Sequence, residues 1–112
     1  MASQTVQSLS TMADEQLTSA KAASSGRSAH TVYGGRGHML RQTLLALAAG
    51  HGLDEHESPG EATLLVLRGR VRLNAVSGAV DGIAGDHIAI PAERHSLSAL
   101  EDSAVMLTVV AK

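Results

Sequence analysis

The sequence predicts an all-β fold, an antiparallel sandwich or barrel with one short amino-terminal α-helix. After Gly26, residues of the types Gly, Pro, Asn and Asp divide the chain into short β-prone runs. Before Gly26, good helix formers such as Ala13, Glu15, Leu17, Ala20 and Ala22 predominate from Thr11 onward. A chain of 112 residues suffices for one domain with its own core. We expect the tail and helix in residues 1–26 and the β-barrel domain in residues 27–112.

The helix is predicted to run from Thr11 to about Ala23. Residues 1–10 are rich in Ser, Thr and Gln and are expected to be weakly ordered. Thr11 and Asp14 have the spacing of a capping box. A helix of this length is not stable alone in water, so its apolar residues must pack on another part of the structure.

Nine strands follow in the prediction. They lie near residues 28–33, 39–48, 52–57, 62–68, 70–76, 79–83, 87–90, 94–100 and 104–110. The run 39–48 is rich in Ala and Leu, but the glycines on both sides favour a strand. Gly69 predicts a tight turn between two strands that form a hairpin.

The strand at 62–68 is apolar on both faces. Ala62, Leu64 and Val66 share one face, and Thr63, Leu65 and Leu67 share the other. The outer face therefore needs a cover, either the amino-terminal helix or a second subunit. We predict a homodimer that packs through Leu65 and Leu67.

Composition narrows the set of partners. Tyr33 is the only aromatic residue and the net charge is −2, with Lys and Arg scattered, so neither base stacking nor a basic stripe favours nucleic acid as a partner. There is no Cys, so a metal would need His, carboxylate or water ligands. No apolar run approaches the roughly 20 residues that span a bilayer. We expect a cytoplasmic protein with no membrane partner.

Two motifs resemble those of the cupin superfamily. The first superfamily motif is Gly, five residues, His, one residue, His, three or four residues, Glu, six residues, Gly. Gly50, His56 and Gly69 occupy their positions in this chain. Ser58 stands where the second His belongs, and Ala62 stands in place of the Glu.

The second superfamily motif is Gly, five residues, Pro, one residue, Gly, two residues, His, three residues, Asn. Gly85 and Pro91 keep this spacing, and Glu93 takes the Gly position. His95 comes one residue early and Ala99 lies near the Asn position, as a turn shortened by one residue after Pro91 would give. With its flanking strands, the resemblance to a small single-domain cupin extends from about residue 39 to the end.

The resemblance implies an antiparallel jelly roll, the double-stranded β-helix or cupin barrel, with a pocket inside. It commonly implies a divalent transition metal held by three His and one Glu, of which His56 and His95 are retained here. Two imidazoles plus water hold a metal less securely than three or four protein ligands. Glu61 adjoins the vacated carboxylate position, but strand alternation directs it outward. We therefore predict a degenerate metal centre, with no cofactor or a weakly held divalent transition metal.

The predicted ligand site combines these histidines with an apolar interior. Its residues are His56, Ser58, Ala62, Leu64, His95 and Leu97. The inward strand faces otherwise supply an apolar wall, with Leu64, Val66, Val71, Leu73, Ile88, Ile90, Leu97, Val105 and Leu107. This makeup favours a small, mostly apolar molecule held by one or two polar contacts. We predict a small cupin of unassigned activity that binds or senses such a molecule.

Two alternatives stay open. One is a metal-dependent enzyme of oxygenase, isomerase or decarboxylase type that uses His56 and His95, and the other is a structural or stress-related barrel without a ligand. Without metal, the two imidazoles could serve in acid–base catalysis if an acidic residue oriented them. The candidates for that role are Asp54, Glu57 and Asp86, and Asp54 shares strand parity with His56.

Other candidate motifs favour ordinary structural roles. His38, His51 and His87 are expected to be exposed or hydrogen-bonded strand residues. The GGRGH run at 34–38 lacks the Lys-Ser/Thr ending of a phosphate-binding loop and predicts a turn. Ser96 beside His95 is no nucleophile pair, since adjacent strand residues face opposite ways.

Overall fold

The computed structural model describes residues 5–57 and 60–110 and contains one helix and nine strands within them. The helix, α1, spans Leu9–Ala22. The strands are β1 (Arg27–Tyr33), β2 (Leu40–Leu47), β3 (Gly52–His56), β4 (Ala62–Arg68), β5 (Arg70–Ala75), β6 (Gly78–Ile83), β7 (His87–Ala89), β8 (His95–Ala99) and β9 (Ser103–Val110). All nine predicted strands are thus present, including the Ala- and Leu-rich β2.

The strands form a jelly roll of nested antiparallel pairs. Strand β5 pairs with β6, β4 with β7, β3 with β8 and β2 with β9. One sheet has the order β1-β2-β9-β4-β7 and the other the order β3-β8-β5-β6. The predicted antiparallel jelly roll with one helix is confirmed. The two sheets face each other as a sandwich and do not close into a barrel.

Two apolar clusters account for the packing. The inner cluster lies between the sheets and includes all nine residues of the predicted apolar wall. The second cluster lies on the outer face of the larger sheet, where α1 packs through Ala13 against Leu44 and Ala104. Burial of both faces of this sheet explains why β2 and β4 are apolar on both sides.

Helix α1 covers part of the surface that the sequence assigned to a second subunit. Leu67 packs in the cluster beneath the helix, whereas Leu65 on the same face is half-buried and lies opposite Met106. The homodimer through Leu65 and Leu67 therefore stays a prediction, with Leu67 already partly covered by α1. Among the described residues, no helix is long and apolar enough to cross a membrane.

The start of α1 differs from the prediction. The N-cap is Ser8, whose hydroxyl accepts a hydrogen bond from the backbone N–H of Thr11 at 3.2 Å, and the helix begins at Leu9. Thr11 therefore lies inside the first turn and is not the cap. Ser8 is the better cap because it provides a hydroxyl three residues before an N–H that no helical carbonyl can satisfy.

The predicted hairpin at Gly69 is wrong. Strand β4 belongs to the larger sheet and β5 to the smaller one, so the chain turns a corner between sheets there. Gly69 has φ +77°, and an added Cβ would lie 2.2 Å from the carbonyl oxygen of Asp102. The corner needs glycine because it combines a left-handed backbone with a close approach to another chain segment.

Candidate ligand site at the histidine pair

The nested pairing brings two distant histidines together. His56 ends β3 and His95 begins β8, and the two residues are register partners. Their ring centroids lie 4.4 Å apart at an interplanar angle of 64°, an edge-to-face arrangement. The two residues are 39 positions apart in the sequence. They meet in the fold because β3 and β8 are hydrogen-bonded neighbours in the smaller sheet.

A bulge in β3 sets the direction of His56. Leu53 pairs with Leu97 and His56 with His95, so three steps along β3 match two along β8. The extra residue reverses the alternation, and Leu53 and His56 line the same cavity. The predicted shared parity of Asp54 and His56 is therefore broken. Asp54 lies along a groove on the outer face of the sheet.

The two imidazoles are held in the same way. Nδ1 of His56 lies 2.9 Å from the carbonyl oxygen of Asp54, and Nδ1 of His95 lies 2.9 Å from that of Glu93. A carbonyl oxygen only accepts, so Nδ1 carries the hydrogen in both rings. Nε2 is then the nitrogen that each ring has free for a ligand, as acceptor when neutral and as donor when protonated.

The pair lines a small apolar cavity between the sheets. We call it the histidine cavity; its lining residues are Leu45, Leu53, His56, Leu64, Leu73, Ile90, His95, Leu97 and Leu107. Its volume is about 30 Å³, room for one or two water molecules. His95 is only 5% exposed, whereas His56 is exposed and marks the side that faces solvent.

The predicted site residues are only partly brought together. His56, His95, Leu64 and Leu97 all line the histidine cavity. Ala62 does not, since it lies at the end of β4 opposite Val109, where it lines a separate surface depression. Ser58 lies outside the described residues.

Two cavity residues, Leu45 and Leu53, are missing from both the predicted ligand site and the predicted apolar wall. Leu45 follows from the alternation of β2, which places it on the same side as the buried Leu47. Leu53 could be assigned only with knowledge of the bulge, for which the sequence has no signal.

None of the three acidic candidates orients an imidazole with its side chain. The Glu57 carboxylate accepts a hydrogen bond from Arg94 at 2.8 Å, and the Asp86 carboxylate accepts one from the Ile83 N–H at 2.9 Å. Asp54 contributes only its backbone carbonyl to His56. Backbone carbonyls therefore orient both rings, and no carboxylate competes for the space beside them in the described residues.

The residues do not fit the four-ligand metal site that the resemblance implies. Within residues 5–57 and 60–110, no three His, Cys, Asp or Glu side chains are grouped so that they could hold one ion. Glu61 lies at the surface depression beside Ala62 and not in the histidine cavity. The two Nε2 atoms are the ligands that the described chain provides there.

The other candidate motifs have structural surroundings. His38 lies in the connection between β1 and β2, and its ring stacks edge-to-face on Tyr33 with centroids 5.5 Å apart. In the GGRGH segment the His38 N–H donates to the Gly35 carbonyl at 3.0 Å, which closes a turn. Ser96 lines the outer groove, on the opposite face from His95.

Comparison with known proteins identifies the fold. No protein-family model and no curated protein sequence matches this chain. A conserved protein of unknown function from Streptococcus pyogenes is 25% identical, with a TM-score of 0.71 over 80% of this chain and 78% of that one. A cupin superfamily protein from Desulfitobacterium hafniense is 16% identical, with a TM-score of 0.70 over 77% and 78%.

A larger enzyme contains the same fold as one part. Salicylate 1,2-dioxygenase from Pseudaminobacter salicylatoxidans is 17% identical, with a TM-score of 0.73, and the match covers 89% of this chain and 33% of that enzyme. The nested strand pairs, the histidine pair between the sheets and these likenesses lead to one conclusion. The chain has the cupin fold.

Proposed function

We propose that the histidine cavity is the binding site for a small, mostly apolar molecule whose polar group contacts His56 and His95. The observation that carries this proposal is the pair itself, since two imidazoles 4.4 Å apart share an otherwise aliphatic lining. Each ring directs Nδ1 to a backbone carbonyl, so Nε2 is the nitrogen that a polar group of a ligand can contact. A ligand with one polar end and an apolar body satisfies both halves of such a site.

The test is ligand binding to the full chain, followed through the histidine rings. We expect some members of a panel of small carboxylic acids, alcohols and phenols to raise the Tm in a saturable way, by about 2.7 kcal/mol of stability at 100 times the Kd. The same compounds should shift the ring signals of His56 and His95 in NMR spectra of histidine-labelled protein.

Variants decide whether the pair is the site. His56→Gln should weaken binding, because it removes one of the two imidazoles. The core should stay intact, because His56 is exposed. His87→Gln is the matched control, since His87 is also exposed but lies on β7 outside the cavity lining. A panel that shifts neither ring, or binding that survives in a His56→Gln, His95→Gln double variant, would overturn the proposal.

A second candidate is a metal-dependent enzyme centred on the same pair. It is favoured by the free Nε2 on each ring, the nitrogen through which histidine commonly ligates metals. Elemental analysis of protein purified without a His tag separates the two functions. Stoichiometric iron, manganese, nickel or zinc that is lost in a His56→Ala, His95→Ala variant would favour the enzyme.

A further inference from the structure

The volume of the histidine cavity limits what it can hold by itself. Pockets for small molecules commonly measure about 300–1,000 Å³. The histidine cavity measures about 30 Å³, because leucine side chains from several strands fill the space between the sheets. It can accept a head group of two or three atoms beside the rings, and the rest of a ligand needs space elsewhere.

Such space lies at the open edge of the sandwich. Strands β6 and β7 are edge strands of opposite sheets, and the opening between them is a groove of about 290 Å³. We call it the edge groove; its lining residues are Leu73, Ala75, Ser77, Gly78, Ala79, Val80, Ala89 and Pro91. Six of these eight are apolar, and Val80 is 53% exposed although it faces the groove.

The edge groove and the histidine cavity share a wall. Leu73 lines both spaces. Ala75 lines the groove and is the register partner of His95, while Ile90 of the cavity lies between Ala89 and Pro91 of the groove. A molecule that extends from the imidazoles past Leu73 therefore enters the edge groove.

The rim of the groove is held in place by Glu93. Its carboxylate accepts hydrogen bonds from the Ser77 hydroxyl at 2.6 Å and the Ser77 N–H at 2.8 Å. Its backbone carbonyl accepts from His95. One residue thus connects the turn that borders the groove to the imidazole in the cavity, and the two spaces have a fixed relative position.

We propose that the edge groove binds the tail of an unbranched aliphatic carboxylic acid whose carboxyl group lies at the histidine pair. This inference rests on the proposed function and specifies its ligand class. A carboxylate has two acceptor oxygens, one for the Nε2–H of each ring when both imidazoles are protonated. Apart from the two imidazoles, the lining of both spaces contains no aromatic ring that could stack on a cyclic ligand, and the edge groove contains none at all, which favours a flexible chain. Leu73 lines both spaces, so its side chain is the one that must move aside for a single ligand to occupy both.

The test is a series of straight-chain carboxylates from acetate to octanoate, titrated into the full, histidine-labelled chain. Kd is measured from the ring signals of His56 and His95. We expect each added methylene to tighten binding by about twofold to fourfold until the groove is filled. Val80→Asn should weaken octanoate binding by about threefold to tenfold and leave acetate binding unchanged.

The matched control is Ile83→Asn. Ile83 lies on the same edge strand and is 56% exposed, but it pairs with Arg70, faces the other side of the sheet and does not line the groove. Affinity that does not depend on chain length, or an equal loss in both variants, overturns the assignment of the tail and leaves the proposed function standing. If no carboxylate shifts either ring, this inference fails, and failure of the wider panel as well ends the proposed function.

Discussion

At the scale of single residues, an arginine links the two chain segments that carry the histidine pair. Arg94 precedes His95 and donates hydrogen bonds to Glu55 at 2.9 Å and Glu57 at 2.8 Å, the two residues that flank His56. These bonds, first that to Glu57 and then that to Glu55, raise the pKa of Arg94. Neighbouring strand residues face opposite sides, so Arg94 joins β3 to β8 on the side away from the cavity. We therefore expect Arg94 to hold the two rings in position.

Replacement of Arg94 by Gln should therefore loosen the pair while the fold persists, since exposed ion pairs contribute little to stability. We expect weaker nuclear Overhauser contacts between the ring protons of His56 and His95. Arg94→Lys should restore them in part, because an ammonium group can still bond one carboxylate. Arg72→Gln is the control, as Arg72 loses a comparable ion pair with Asp81 on the same sheet. Unchanged ring contacts in Arg94→Gln would refute the positioning role.

Asp81 forms ion pairs with both Arg70 and Arg72. The hydrogen bond from Arg72, followed by that from Arg70, lowers the pKa of Asp81 to about 2. The carboxylate is thus more acidic in the folded chain than in the unfolded one, where its pKa is near 3.8. A lowered folded pKa stabilises the fold above the unfolded value, and this contribution is lost as the pH falls from about 4 through about 2.

Asp81→Asn should remove that contribution. Urea unfolding should show the variant to be less stable than the native chain above pH 4, with a difference that shrinks towards pH 2. Asp54→Asn serves as control, because the Asp54 carboxylate makes no hydrogen bond or ion pair within residues 5–57 and 60–110. A stability difference that stays constant from pH 6 to pH 2 would contradict the assignment.

At the scale of elements, the strands were predictable because each has a local signal of β-prone residues between turn formers. The histidine pair followed from the resemblance, which assigned His56 and His95 to one pocket. The bulge in β3 was not predictable, since nothing in the residue types of Leu53, Asp54 and Glu55 distinguishes a bulged strand from a regular one. It arises from pairing with β8, a contact that is distant in sequence. Asp54 was therefore assigned to the wrong face.

The corner at Gly69 shows the same limit. A glycine between two apolar runs is compatible with a hairpin and with a crossing between sheets, because both need a left-handed residue. The two arrangements differ in the chain segment that contacts the turn. The N–H of Arg70 donates to the buried Ser103 hydroxyl at 3.1 Å, a contact that a local reading of the sequence does not contain.

Gly69→Ala tests this corner, with Gly50→Ala as its matched control. Both glycines have similar φ angles, +77° and +85°, so both variants pay about 1 kcal/mol for a left-handed alanine. Of these two glycines, Gly69 has backbone atoms within 3 Å of the added Cβ, whereas Gly50 has nothing within 4 Å. We expect Gly69→Ala to lose at least about 1 kcal/mol more in urea unfolding. Equal losses would mean that the corner relaxes freely.

At the scale of the whole molecule, a chain with one residue of the types Phe, Trp and Tyr fills its interior mainly with leucine and valine. The only aromatic residue, Tyr33, is half exposed and contributes nothing to the inner cluster. Strand alternation predicted which residues face inward, and all nine do. It could not predict how much space they leave, because the remaining volume depends on the rotamers and the distance between sheets. The pocket expected from the resemblance is consequently a cavity of about 30 Å³.

Leu64→Ala tests how tightly this interior is packed. Leu64 is 2% exposed and lines the histidine cavity, so its truncation should cost about 2–5 kcal/mol in urea unfolding. Leu65→Ala, on the half-buried outer face of the same strand, should cost about 1 kcal/mol. The enlarged cavity should also bind benzene, which would then raise the Tm of Leu64→Ala and not that of Leu65→Ala. Equal losses of stability in the two variants would mean that the sandwich collapses around the missing Leu64 side chain. An interior that adapts in this way could not hold a small head group in one place.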